Sequence, residues 1–404
     1  MRILVVCQHY WPEPYYLADV CEELASRGHV VHVITDVPNY PMGLIYPDYR
    51  NGKQRHQIQN GVEITRTFTI GRRQNLLFRF LNYYSYSISS SLFVRTLKEE
   101  YDVVFTNQTS PIMMVNAAMV YAQKWHKKCV LYCMDLWPTS LAAGGVKQSS
   151  PLYKYFTKVS RKLYSKADKI LISSGMFRQY LEDNFKIKEE SIQLFPQYAN
   201  DCFKTEAETE TNKESIDLMF AGNIGAAQKL DVVIKAAKIL SRDKRIRWHL
   251  VGDGSELNNL KKLAHDLSLD ETVVFHGRKP LEEMPYYYSL ADALLVSLIK
   301  DPLISMTLPG KVQTYMAAGK PIIAAANGEI PLVINDAKCG YCAPAEDVDG
   351  LVNAVTAFIN DGKWDILGKN ARNYFELHYT RDHFMNAMES ILKEQASLSQ
   401  TAAK

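Results

Sequence analysis

Short runs of β-branched and aliphatic residues recur along the chain, separated by longer segments whose apolar positions return every three or four residues. In the first half the short runs are "RILVVC", "VVHVIT", "VEITRTF", "DVVFTN", "CVLYCM", "KILISS" and "SIQLF". Runs this short and this uniformly apolar predict strands covered on both faces, as in a parallel sheet. Between them, Tyr15–Arg27, Leu76–Glu99 and Pro111–Lys124 have helical length and period. After the polar stretch "NDCFKTEAETETNKES" the alternation restarts with "IDLMFAG", "RWHLVGDG", "TVVFHG", "ADALLVSL" and "PIIAAA". Two such series predict an α/β chain of two Rossmann-like, doubly wound parallel-sheet domains facing a cleft, with ligands beyond the C-terminal strand ends. We place the first domain at residues 1–198, a linker at 199–215, the second domain at 216–364 and a helical tail at 365–404.

Composition narrows the class. A chain of 404 residues exceeds a single ordinary core, and 47% hydrophobic with 23% charged residues is a soluble globular balance. No apolar run reaches the roughly 18 residues of a membrane span. The opening "MRILVVCQHYWPEP" is too briefly apolar for a signal peptide and reads as a first strand, so the cytosol is the expected address. Seven scattered cysteines, with Cys339 and Cys342 as a lone C-x-x-C, predict reduced thiols rather than a disulfide framework or a zinc site. The net charge of +3 is uneven: residues 1–200 carry 24 Lys/Arg against 16 Asp/Glu (+8), the remainder 23 against 28 (−5). The halves are expected to meet different partners.

Several stretches carry candidate chemistry. In "TLPGKVQTYMAAGKPII", Pro309 suits the first turn of a helix that runs to Ala318, and Gly319 ends it. Lys311 then lies in the first turn, where unpaired amides and the helix dipole already favour an anion, and diphosphate is the natural candidate. In "FAGNIGAAQKLDVVIKAAKIL" a strand ends at Gly222, turns through Asn223 and Gly225, and feeds a helix expected to start near Gln228, a turn open enough for phosphate. Gly277 and Arg278 leave a further strand tip, and the Tyr286–Tyr288 cluster reads as core packing. Asp135 follows the apolar "LYCM" directly, at the strand edge where function concentrates; a helix-capping role is the alternative.

The fifth feature is a surface. Lys154, Lys158, Arg161 and Lys162 crowd one segment among aromatics, and Arg72, Arg73 and Arg79 another. A basic face with aromatic edges suits an anionic membrane surface; no nucleic-acid-binding module accompanies it. No D-x-D pair, H-E-x-x-H or G-x-S-x-G is present, so neither a metal nor another cofactor is expected.

In order and spacing, "WPEPYYLADVCEELASRGHVVHVIT", "VPNYPMGLIYPDY", "DLWPTSL", "FAGNIGAAQ", "LVGDGSELNNL", "ADALLVSL", "LPGKVQTYMAAGKPII" and "ANGEIPLVI" resemble the retaining glycosyltransferases of family four, which have the GT-B fold. Among these the match is closest to the WbuB-like transferases of bacterial O-antigen and capsule synthesis. The resemblance implies a nucleotide-sugar donor on the second domain, its diphosphate at Gly222, Asn223, Gly225, Gln228 and Lys311 and its nucleoside near Arg278. Asn327 and Glu329 would reach the donor sugar. Asp135 would stand near the reacting centre, the acceptor would lie on the first domain, and the tail would cross back to it. The chain departs from the broad family where two glutamates usually stand: alignment puts Met306 and Thr314 there, with Thr314 at the ribose contact. The usual Arg and Lys of the glycine turn are replaced by Asn223 and Gln228.

The expectation is therefore a UDP-sugar-dependent, retaining hexosyltransferase. It would move an N-acetylated amino deoxysugar such as N-acetylfucosamine onto an undecaprenyl-diphosphate-linked saccharide at the inner face of the cytoplasmic membrane. A non-hydrolysing UDP-sugar 2-epimerase and a catalytically silent partner of a polysaccharide assembly complex are the alternatives.

Overall fold

The computed structural model describes every residue except 74, 144, 204–213 and 403–404. The chain forms two compact units, Met1–Phe195 with Met385–Lys404, and Pro196–Phe384. Residues 204–213 of the expected linker lie outside the described residues; Ala199 and Phe203, at its start, are buried in the core of the second unit.

In the first unit, eight strands make one sheet: β1 (Arg2–Val6), β2 (Val30–Thr35), β3 (His56–Gln59), β4 (Val62–Arg66), β5 (Val103–Gln108), β6 (Cys129–Cys133), β7 (Lys169–Ile172) and β8 (Ile192–Leu194). Their order is β3-β4-β2-β1-β5-β6-β7-β8, parallel throughout except for the β3–β4 hairpin. That hairpin turns through Asn60 (φ 47) and Gly61 (φ 81), both left-handed, as a tight turn between twisted strands requires. β5 and β6 are buried at every position, which is why their sequences show no alternation.

In the second unit, β9 (Ile216–Ala221), β10 (Ile246–Val251), β11 (Val273–Gly277), β12 (Ala293–Ser297), β13 (Ile322–Ala325) and β14 (Gly340–Ala343) form a fully parallel sheet in the order β11-β10-β9-β12-β13-β14. Each face carries its own core. Met219 and Ala221 of β9 pack on one side with Tyr315 and Phe375, Leu218 and Phe220 on the other with Val233 and Phe358. The strand order reverses beside β9 in this unit and beside β1 in the first. Ligands of open α/β sheets bind past the strand ends at such reversals.

The tail forms two helices, Trp364–His378 and Arg381–Ala402. The first buries Ala371 and Phe375 in the second unit, while Met385–Lys404 belong to the first.

Candidate active site

At the reversal in the second unit, β9 ends at Ala221. Its amide donates to the Tyr315 hydroxyl at 3.0 Å, and that hydroxyl donates to the Ala221 carbonyl at 3.0 Å. Tyr315 is fully buried on the helix Gly310–Ala317, so one phenol ties this helix to the strand tip that enters the glycine turn. The turn is packed against its neighbour by backbone alone. A Cβ at Gly252 would fall 1.8 Å from the Gly222 carbonyl oxygen, and one at Gly254 2.3 Å from that of Ile224. Glycine at both places lets the Ile224 amide donate to the Asp253 carbonyl at 2.8 Å.

Lys311 projects into this turn from the first turn of its helix. Its Nζ donates to Gln228 Oε1 at 3.0 Å and stands 3.9 Å over the Phe220 ring; a Cβ at Gly222 would lie only 3.4 Å from it. Burial holds the ammonium down from the usual lysine range to about 7. Near neutrality it is poised between charged and uncharged, and an anion bound beside it would restore the charge. The cation absent from position 228 is thus supplied to the same spot from the neighbouring helix.

Two local expectations are corrected. Pro309 is the cap before the helix, extended at ψ 140, rather than a member of its first turn. Gln228 closes a short 3-10 turn, Ala226–Gln228, and the helix begins only at Asp231, because Lys229 is left-handed (φ 48) and breaks the run.

The other predicted donor residues surround the turn unevenly. Asn223 is exposed at the tip of the loop, its Nδ2 2.7 Å from where a Cβ on Gly225 would sit. Arg278 is exposed just past Gly277. Thr314 turns its hydroxyl back onto the Gly310 carbonyl at 3.0 Å. Asn327 accepts from the Ala345 amide at 3.0 Å, and Glu329 is buried at the start of the helix Glu329–Ala337. In the tyrosine cluster, Tyr287 and Tyr288 pack inside whereas Tyr286 is exposed.

In the first unit Asp135 stands past β6. Its carbonyl accepts from Gln108 Nε2 at 2.8 Å and its Oδ1 from the Ser140 hydroxyl at 2.5 Å. Burial raises its pKa and the Ser140 bond opposes the rise. Trp137, buried beside it, donates to Ser110 Oγ at 2.7 Å and meets Tyr83 edge-on. Lys154, Lys158, Arg161 and Lys162 are exposed along the helix Pro151–Tyr164, whose other face buries Phe156 and Leu163. Arg73 and Arg79 are exposed and Arg72 is half-buried.

The reversal beside β1 holds residues that the motif reading passed over. His9 Nδ1 lies 2.8 Å from Glu13 Oε2, and Glu13 Oε1 accepts from the amides of Asn39 and Tyr40, both at 2.7 Å. Asp36 is adjacent: one ligand-type atom each of His9, Glu13 and Asp36 falls within 4.8 Å of the others. The visible signal was a histidine four positions ahead of a glutamate just past the first strand.

With this geometry in place, comparison with known proteins is informative. A family model described as "Glycosyltransferase Family 4" matches residues 15–197, and one described as "Glycosyl transferases group 1" matches residues 203–374. The chain is a family 4 glycosyltransferase. The transferase is 25% identical over 383 residues to a putative colanic acid biosynthesis glycosyl transferase, WcaI, of Escherichia coli (strain K12), covering 88% of this chain and 91% of that one. It is 20% identical to the N-acetyl-alpha-D-glucosaminyl L-malate synthase of Bacillus anthracis, over 92% of this chain and 90% of that one. Among solved structures it superposes on Anabaena HepE in complex with UDP with a TM-score of 0.71 at 14% identity, covering 98% of the transferase and 100% of that chain. The sucrose-phosphate synthase of Thermosynechococcus elongatus gives 0.72 at 16% identity, over 100% and 99%. At such identities the likeness is one of fold, and the fold is GT-B.

Proposed function

We propose that the transferase takes a UDP-sugar and moves its sugar, with retention of anomeric configuration, onto a lipid-linked saccharide during synthesis of a cell-surface polysaccharide such as O-antigen or capsule. The carrying observation is the Lys311 ammonium held at the Gln228 amide beside the glycine turn of β9. Such a turn offers backbone amides and one cation to a diphosphate whose negative charge grows as the glycosidic bond breaks, and that differential stabilisation is what accelerates transfer. A likeness to a colanic acid transferase and to a fold relative that binds UDP supports the donor and the pathway class. An N-acetylated amino deoxysugar such as N-acetylfucosamine is the sugar we favour, from the WbuB-like motifs, and undecaprenyl diphosphate is the lipid. The test is thermal unfolding of the chain against UDP, GDP, dTDP and CMP, followed by nuclear magnetic resonance of the product's anomeric proton. A shift with UDP and an axial-to-axial outcome support the reading; a shift with GDP alone, or inversion, refutes its donor or its stereochemistry.

The membrane part rests on one helix face. Leu77, Leu81, Ile88 and Leu92 of the helix Leu76–Thr96 are exposed along one stripe at helical spacing. The Tyr84 hydroxyl, on the same stripe, donates to that of Tyr155 at 3.2 Å, joining it to the helix bearing Lys154 and Lys158. Exposed apolar side chains flanked by cations suit the interface of an anionic bilayer. No helix among the described residues is long and apolar enough to cross a membrane.

A further inference from the structure

Past β1, His9 is 5% exposed and Glu13 3%, so neither is an ordinary surface group. Glu13 accepts two backbone amides on one oxygen, which favours its carboxylate form. A carboxylate has no proton to give, so His9 Nδ1 donates to it, and the unprotonated nitrogen is Nε2. Among the described residues Nε2 has no hydrogen-bond partner. An imidazole fixed in one tautomer with its lone pair free is built to receive a hydroxyl. Aromatic faces stand beside it: Tyr15 stacks on the His9 ring at 5.1 Å and 6°, and Tyr40 is tilted at 5.7 Å, both half-exposed.

A divalent ion fits this cluster poorly. Both Glu13 oxygens are committed to N–H donors, and Asp36 Oδ2 accepts from Asn39 Nδ2 at 3.1 Å and Gln8 Nε2 at 3.4 Å. Burial and the nearby Glu13 raise the Asp36 pKa well above the usual carboxylate range, which opposes the anion a metal would need. The position is also the topological counterpart of the Gly222 turn, since each loop follows the strand beside which its sheet reverses.

We propose that His9 is the acceptor-binding residue of the first unit: its Nε2 accepts a hydrogen bond from the sugar hydroxyl that attacks the donor, while Tyr15 and Tyr40 hold a face of the acceptor pyranose. Glu13 is a positioning residue that sets the tautomer and ring direction. The imidazole orients the hydroxyl; no proton transfer to it is required. The inference rests on the transferase reading and adds the group that recognises the acceptor.

Two amide substitutions separate this role from a structural one. An asparagine at position 9 places its amide where Nδ1 lies and keeps the Glu13 bond but has no atom at Nε2; a glutamine reaches toward Nε2. Transfer of label from UDP-sugars into a lipid extract of the native host's membranes is measured for the full chain, His9→Asn and His9→Gln, with the UDP-induced melting shift as a check on the second unit. His9→Asn should lose about 100-fold in transfer rate, with His9→Gln clearly above it and the UDP shift unchanged in both. An Asn variant that equals or exceeds the Gln variant overturns the proposal and leaves the transferase reading intact. No transfer by the unsubstituted chain from any donor defeats the transferase reading, and this proposal with it. If the His9 variants do not fold, Tyr15→Leu carries the test: a roughly tenfold higher acceptor KM at unchanged donor KM is expected, and an unchanged acceptor KM overturns it.

Discussion

At the scale of residues, Lys311 sets the clearest expectation. Its pKa of about 7 means that diphosphate binding near pH 7 requires little proton uptake, whereas at pH 9 it requires nearly a full proton. The dissociation constant for UDP should therefore rise about tenfold per pH unit above 7.5, and Lys311→Met should flatten that slope as well as weaken binding. The sign for stability is the reverse. The unfolded chain holds this proton more tightly than the folded one, so the folded state loses between pH 7 and about 10.5, relative to higher pH, what burial of the amine costs. Lys311→Met without nucleotide should melt a few degrees higher at pH 7, and an unchanged melting temperature would show that the amine is not strained there. Tyr315→Phe makes the opposite case. It leaves the Ala221 amide and carbonyl without their buried partner and should cost about 1–3 kcal/mol in denaturant unfolding. Lys311 was legible in the sequence because proline, glycine and lysine mark a helix start by local rules. His9 was not, because the groups that give it meaning, the amides of Asn39 and Tyr40, come from a loop more than two dozen residues away.

Elements were legible where one strand or one cap decides them. The runs "VVHVIT" and "CVLYC" appear as β2 and β6, since burial on both faces leaves an uninterrupted apolar signature. β3 and β14 went unread. β3 alternates only weakly, with the pattern exposed–intermediate, and its evidence lay in the Asn60-Gly61 turn rather than in its own residues. β14 is four residues of small side chains, and a Cβ at its Gly340 would lie 1.7 Å from the Ile322 carbonyl, so its place depends on β13. The same close approach makes Gly254→Ala a sharp probe of the glycine turn. The added methyl meets the Ile224 carbonyl at 2.3 Å, so the loops after β9 and β10 must separate. UDP affinity should fall by about tenfold or more while the rest of the sheet survives; unchanged affinity by calorimetry would detach this turn from the donor. On the helix Leu76–Thr96 the exposed stripe, not the buried face, carries the expectation. Ile88→Glu should reduce sedimentation with phosphatidylglycerol vesicles severalfold and leave melting within about a degree, because Ile88 is 57% exposed and contributes little to the core. Equal sedimentation of both forms would move the membrane contact elsewhere.

For the whole molecule, the charge asymmetry between halves and the two sheet reversals assign anion binding to one unit and a hydroxyl-bearing acceptor to the other. What local sequence rules could not supply is the chain's return: Arg381–Ala402 is a single helix by its pattern, yet Met385–Lys404 belong to the first unit. Its Met385, Met388, Ile391 and Leu392 are buried, each worth about 1.5–3 kcal/mol, a sum comparable with the entire stability of an ordinary domain. The helix is further fixed by Glu389, which meets Arg27 and His29 at 3.0 Å. Lys393, Arg27 and His29 hold the Glu389 carboxyl down at about 2. Because that carboxylate is favoured only in the folded state, its contribution is complete above about pH 4.5 and disappears as the pH falls toward 2. Partial exposure of the pair keeps the term small, so Glu389→Gln should shift the acid midpoint of the first unit only slightly, by a few tenths of a pH unit. Ending the chain at residue 384 is the stronger perturbation. Without the buried helix face the first unit should lose cooperative unfolding, seen as a missing transition in calorimetry. The second unit, whose core and glycine turn draw only on Pro196–Phe384, should keep its transition and its response to UDP. Two surviving transitions would mean that the first sheet closes its core without the returning helix, and that the crossing serves something other than stability.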